Sequence, residues 1–234
     1  MGLHDNPVVA RGLVLAFASA LATSAAAEYA SVDISSNFNN TWSDFANGST
    51  FPTGNQVFTH GSSSVPVTLG GVDGAPSAWS AYLVASTGTV TLTVPVNLRG
   101  ATTVFTMINS AWGVPQQGLA SVTFHATGGL SQTFQLVGGT DIRDHQQGPN
   151  WTTAINGTTT QQVFANGMGQ WLDMQRFDLD AAFAGQTLTS IVFTDNGMNG
   201  VQRLNLFGIT AVVPGPGALA LLGALGLSAS RRRR

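Results

Sequence analysis

Apolar and polar side chains alternate with a period of two along much of the chain. Thr89-Val90-Thr91-Leu92-Thr93-Val94 shows it most clearly: Val90, Leu92 and Val94 fall on one face and the threonines on the other. Ser121-Val122-Thr123-Phe124-His125 repeats the pattern, Phe134 and Leu136 continue it, and the stretch from Trp171 to Leu179 alternates at length. Thr103 to Ile108 and Thr189 to Phe193 are apolar on both faces, as strands in the middle of a sheet are. Leu204-Asn205-Leu206 leads to Gly208, a predicted bulge, and then to Ile209-Thr210-Ala211-Val212. Turn signals separate these runs, among them Gly70-Gly71, Gly128-Gly129, Gly138-Gly139, Asn156-Gly157, Asn166-Gly167 and Asn196-Gly197. The body shows neither a helical period of useful length nor a repeat of fixed period.

The pattern predicts an all-β fold over residues 65–212, an antiparallel two-sheet sandwich or jelly roll, with Val90, Leu92, Val94, Phe124, Phe134 and Leu206 in its core. Residues 28–64 are weakly patterned and read as a lead-in with one or two edge strands. Trp42 and Trp79 stand apart from polar clusters and read as core or edge residues.

The two ends follow other rules. Leu13 to Ala22 is an apolar run after Arg11, and Ala25-Ala26-Ala27 supplies the small residues a signal peptidase needs. Residues 1–27 therefore read as a signal peptide with a signal helix, cleaved after Ala27, with Ala25 and Ala27 at the cleavage site. The run is shorter than the roughly 20 apolar residues a membrane span takes. At the other end, Pro214 and Pro216 cannot donate to a sheet ladder and close the β domain. A short apolar helix is predicted from Ala218 to Ala229. At 1.5 Å per residue it reaches only about 18 Å, short of a bilayer core. Arg231, Arg232, Arg233 and Arg234 follow, and the positive-inside rule keeps them cytoplasmic.

Composition narrows the function classes. Of 234 residues only 9% are charged, while 43% are hydrophobic, and Thr, Ser, Asn, Gln and Gly make up the polar remainder. Every basic residue is Arg, and four of the nine lie in the tail, so the body is mildly acidic. That argues against nucleic acid as a partner. The absence of Cys excludes thiol catalysis and Cys-built zinc sites.

The ending Val213-Pro214-Gly215-Pro216, apolar helix and Arg cluster resembles the PEP-CTERM sorting signal. That resemblance covers about the last 22 residues. It implies processing by an exosortase-type enzyme, transient residence in the inner membrane and an association with exopolysaccharide and biofilm. The family's central Glu is Gly215 here. The body also carries a resemblance. Phe105-Thr106-Met107-Ile108-Asn109-Ser110-Ala111-Trp112-Gly113 is similar to a strand-to-loop motif of bacterial secreted domains. Leu136 to Asp144 and Asp195-Asn196-Gly197 follow in the same order. Over roughly residues 65–212 these domains are similar in organisation to galactose-binding-like jelly rolls. That implies carbohydrate association, and such domains often hold one structural calcium.

The densest polar cluster is Asp141-Ile142-Arg143-Asp144-His145, leading through a Gly/Pro loop to Trp151. Carboxylates and a guanidinium bond sugar hydroxyls, and an indole face stacks on a pyranose. Asp141, Arg143, Asp144 and Trp151 are thus the candidate ligand-binding residues, with Trp112 as a neighbour. The alternative is structural: Arg143 pairs with Asp141 or Asp144 to pin the loop, Trp151 covers the core, and Trp112 plugs it. Asp195 and Asn196 are candidate oxygen ligands for calcium, or simply a turn. Glycoside hydrolysis needs two facing carboxylates. The only Glu is Glu28, and Asp173 and Asp178 differ in strand parity, so no catalytic residue is assigned. The reading is an exported, noncatalytic envelope or biofilm-matrix protein with a carbohydrate-associated sandwich. The alternatives are a structural surface protein without a ligand and, last, a polysaccharide-active enzyme.

Overall fold

The computed structural model describes residues 27–41, 51–71, 74–197 and 202–215. The signal segment with Ala25, Trp42, the apolar helix of the tail, Pro216 and Arg231 to Arg234 lie outside the described residues. Thirteen strands are formed among the described residues. In chain order they are β1 (Ala27–Val32), β2 (Asn40–Thr41), β3 (Gly54–His60), β4 (Ser63–Leu69), β5 (Pro76–Ser80), β6 (Val90–Arg99), β7 (Thr103–Ala111), β8 (Ala120–Ala126), β9 (Ser131–Leu136), β10 (Thr160–Ala165), β11 (Trp171–Asp178), β12 (Thr187–Asp195) and β13 (Arg203–Pro214). One helical turn, α1 (Ala81–Val84), follows β5. Among the described residues no helix is long and apolar enough to cross a membrane.

The larger sheet runs β10-β11-β7-β13-β5-β2, and β1 shares the β13 edge with β5. The smaller sheet runs β6-β12-β8-β9, and every pairing within both sheets is antiparallel. This is the all-β sandwich that the alternation predicts. Its core lies between the sheets. Val90, Leu92, Val94, Phe124 and Leu206 are buried there, and Phe134 is half-buried against the same cluster. Burying a Phe such as Phe124 or Phe193 stabilises by roughly 1.5–3 kcal/mol, so this seam holds the sheets together. The register shifts between Leu206 and Gly208, which places the predicted bulge. A side chain at Gly208 would come within 2.5 Å of Val67, so glycine lets β4 lie close over β13.

The β3–β4 hairpin forms a third layer. Phe58, Val65, Val67 and Leu69 cover the outer face of the larger sheet and meet Phe105, Met107, Leu172, Met174 and Phe207. That explains why Thr103 to Ile108 reads apolar on both faces: Val104 and Ile108 join the inter-sheet core, while Phe105 and Met107 face the hairpin. β1 and the hairpin are built into the fold, and residue 65, where the sandwich is expected to begin, falls inside β4. β1 pairs with β13 from Val32 opposite Ile209 to Ala27 opposite Pro214. The expected cleavage residue and the first proline of the tail motif therefore sit side by side at one end of β13. Arg203 and Asn205 lie at its other end.

His60 closes the hairpin layer. Its Nε2 lies 3.2 Å from the Thr159 carbonyl, and its ring meets Phe105 edge-on at 5.5 Å. Burial holds its pKa below the ordinary 6.5. The unfolded chain then takes up the proton more readily than the folded one. The stability that neutral His60 contributes is full above pH 6.5 and lost as the pH falls from there through the lower folded value. Relative to His60→Gln, the wild type is expected to lose melting temperature between pH 7 and 5. Parallel pH profiles for the two proteins would refute this.

Candidate functional site

The loop that leaves β9 is held by its own backbone. Val137 O accepts from Thr140 N and Asp141 N at 3.1 and 2.8 Å, and Asp141 Oδ2 accepts from Val137 N at 3.1 Å. Asp141 is thus a turn residue, and its other oxygen accepts from Asn156 Nδ2 at 3.3 Å. Two residues on, the Arg143 side chain turns into the protein. Its Nε and Nη2 donate to the two oxygens of Asp173 at 2.7 and 2.6 Å, and Asn109 Nδ2 adds a bond to the same carboxylate at 2.8 Å. Nη2 also donates to Gln162 Oε1 and Nη1 to the Thr153 carbonyl. The Trp171 ring lies 4.0 Å beneath the guanidinium. Burial pushes the Asp173 carboxyl above its ordinary value, and the Arg143 bonds work against that rise.

Asp144 is buried and faces the end of β7. Its Oδ2 accepts from Gly113 N at 3.0 Å and its Oδ1 from Gln146 N at 2.9 Å, while His145 Nδ1 lies 3.4 Å from Oδ1. Burial raises its pKa, against the pull of His145 and the backbone amides. The bond to Gly113 fixes the turn after β7. A side chain at Gly113 would come within 2.5 Å of Ser110 Oγ and 3.0 Å of Asp144 N, so glycine is required. The turn holds Trp112 at φ 55°, the only positive φ on a non-glycine residue among those described. Such backbone costs about 1–3 kcal/mol and tends to persist where it serves a site. The Trp112 ring is 37% exposed and stands 5.0 Å from Tyr82 at 59°.

These residues wall a cavity of about 470 Å³, within the range of roughly 300–1,000 Å³ usual for small-molecule sites. Tyr82 and Leu83 of α1 line it together with Trp112 and Trp151, and the Tyr82 and Trp112 rings meet at its rim. Asn40, Ser80 and Asn205, from β2, β5 and β13, line it across the larger sheet. Trp151 is half-buried and rests on Gly148, where a side chain would come within 2.4 Å of its ring. Gly148→Ala is therefore expected to displace the Trp151 ring and cost about 1–3 kcal/mol, the usual range for overpacking. Tryptophan emission and urea unfolding read both, and an unchanged spectrum would sink the expectation.

Of the predicted ligand-binding residues, the fold brings Asp144, Trp112 and Trp151 together at this cavity. Arg143 and Asp141 are not part of it. Arg143 is the buried pin of the structural alternative, but its partner is Asp173 rather than Asp141 or Asp144. Asp173 is buried and Asp178 exposed, and their different parity puts them on opposite faces of β11. Asp141 lines a separate cavity of about 370 Å³ beside Arg176 and Asp178. A third, of about 300 Å³, lies against Asp33 and Gly70 and has no exposed aromatic ring. Tyr82, Ser80 and Asn205 were not singled out by sequence pattern. Tyr82 alone carries a signal, an aromatic two residues after β5.

Both side-chain oxygens of Asp195, one of the two expected calcium ligands, already accept backbone bonds. Asp195 accepts from Gly197 N and Leu204 N at 2.8 and 2.7 Å and lies 3.6 Å from the buried Arg203 guanidinium. Asn196 Nδ2 donates to the Gly118 carbonyl at 2.7 Å. Among the described residues no three His, Cys, Asp or Glu side chains gather as metal ligands. No protein-family model matches the chain, and no curated protein does.

Proposed function

We propose that the protein is an exported, noncatalytic carbohydrate-associated module of a bacterial envelope or biofilm matrix. The supporting observation is the cleft: a solvent-open hollow rimmed by the Tyr82 and Trp112 rings, which touch each other, with Trp112 exposed on strained backbone and polar groups along the sheet. Aromatic faces with converging hydroxyl partners suit sugars, whose rings have an apolar C–H face and a polar edge. Among the described residues Asp144 is the one carboxylate lining the cleft, and backbone amides hold both its oxygens. That supports binding rather than hydrolysis, which needs two carboxylates.

In this reading a signal peptidase removes residues 1–27 and an exosortase-type enzyme processes the Pro214-Gly215-Pro216 tail. The inner membrane is a transient partner through both ends, exopolysaccharide is the lasting one, and nucleic acid is not a partner. Protein purified from the envelope of an expressing bacterium should be retarded in native gels cast with polysaccharide. Migration unchanged by every polysaccharide tried would favour a surface protein without a ligand.

A further inference from the structure

We propose that Asn205 is the polar anchor of the cleft and that the occupant is a neutral hexopyranose unit, an inference that rests on the glycan-binding reading above. Asn205 is fully buried and lines the cleft, yet neither Nδ2 nor Oδ1 has a partner among the described residues. Its neighbours across the sheet are engaged. Opposite it on β7, Asn109 donates to Asp173 Oδ2 and accepts from Asp173 N. Opposite it on β5, Ser80 exchanges backbone bonds with the Asn39 amide. Some 90% or more of buried polar groups are paired, so a wholly idle buried amide asks for a partner from outside. An amide offers a donor and an acceptor side by side. Two adjacent ring hydroxyls, each able to donate and accept, match that pair.

The walls restrict the sugar further. Among the described residues no Arg lines the cleft, and its carboxylate is Asp144. Against a uronate, sulfate or phosphate group the described lining sets the Asp144 carboxylate, and its one group able to carry a positive charge is His145, whose Nδ1 already lies 3.4 Å from Asp144 Oδ1. A purely apolar ligand would leave Asn205 unpaired. A neutral pyranose fits both constraints, with its C–H face on Trp112 and Tyr82.

The test compares the wild type, Asn205→Leu and Trp112→Ala in native gels containing dextran, galactomannan or alginate, with melting temperatures alongside. The expected result is retardation by at least one neutral polysaccharide at least tenfold stronger than by the uronate polymer alginate. Asn205→Leu should lose that retention at least tenfold while melting no lower than the wild type, since it removes an idle polar group. If Asn205→Leu is not folded, Asn205→Ala is read in its place. If Asn205→Leu binds as the wild type while Trp112→Ala does not, water serves the amide; this inference fails and the glycan reading stands. Equal retention by alginate overturns the neutral assignment. A wild type retained by none of the three overturns both.

Discussion

Arg143→Ala is expected to destabilise the fold by about 3–5 kcal/mol, the range for stranding one half of a buried ion pair. Asp173 would keep Asn109 but lose both charge-assisted bonds, in a place without solvent. The Gln162 side chain and the Thr153 carbonyl would lose their Arg143 partner too, which loosens the loop against the β10–β11 ladder. Urea unfolding at pH 7 should show the midpoint fall with little change in slope. The pair Arg143→Met with Asp173→Leu should recover most of the loss, because no charge is then stranded. A single-mutant loss below 1 kcal/mol would mean that Arg143 is not the pin the geometry describes.

Trp112 should behave in the opposite way, with a large effect on binding and a small one on stability. Trp112→Ala removes the exposed ring but keeps a Cβ at φ 55°. Trp112→Gly removes both ring and strain, against a larger entropy loss on folding. Retention on polysaccharide should fall at least tenfold in either variant, about 1.4 kcal/mol of binding free energy. The glycine variant should be as stable as the alanine variant or up to about 1 kcal/mol more stable, since left-handed backbone penalises a Cβ by about 1–2 kcal/mol. A Trp112→Ala protein that melts far earlier and binds unchanged would make Trp112 a core plug after all.

Particular residues show what could be read from the sequence. Val90, Leu92, Val94 and Phe124 announce their burial because strand geometry sends alternate side chains to one face, a rule needing only neighbouring residues. Gly208 announces the bulge in the same way. The β3–β4 hairpin is harder. Its inward face includes His60 and its outward face Val57, which is exposed, so hydrophobicity alone blurs the period. Arg143 shows a different limit. Asp141 and Asp144 are near it in sequence, but its partner is Asp173, thirty positions away on β11. Pairing at that range is decided by which strands lie side by side. Asn205 depends on register as well: it reaches the cleft beside Ser80 only because β13 and β5 align those two residues. The cleft is assembled from five separated stretches, and only one of them, Asp144 to Trp151, belongs to the polar cluster that marks the sequence.

The pairing of Ala27 with Pro214 governs how the domain would carry a mechanical load. Asn205 and Pro214 are nine residues apart on one strand, about 30 Å at 3.4 Å per residue. β13 ends at Pro214, and the cleft opens at its opposite end. A pull between chain beyond Gly215 and a ligand gripped in the cleft runs lengthwise along β13. The bonds from β13 to β7 and β1 are then sheared side by side and share the force. A pull that parted Ala27 from Pro214 would instead open the β1–β13 ladder one rung at a time, like a zipper. Tethered by its C-terminal end alone, the domain bears tension in its stronger direction.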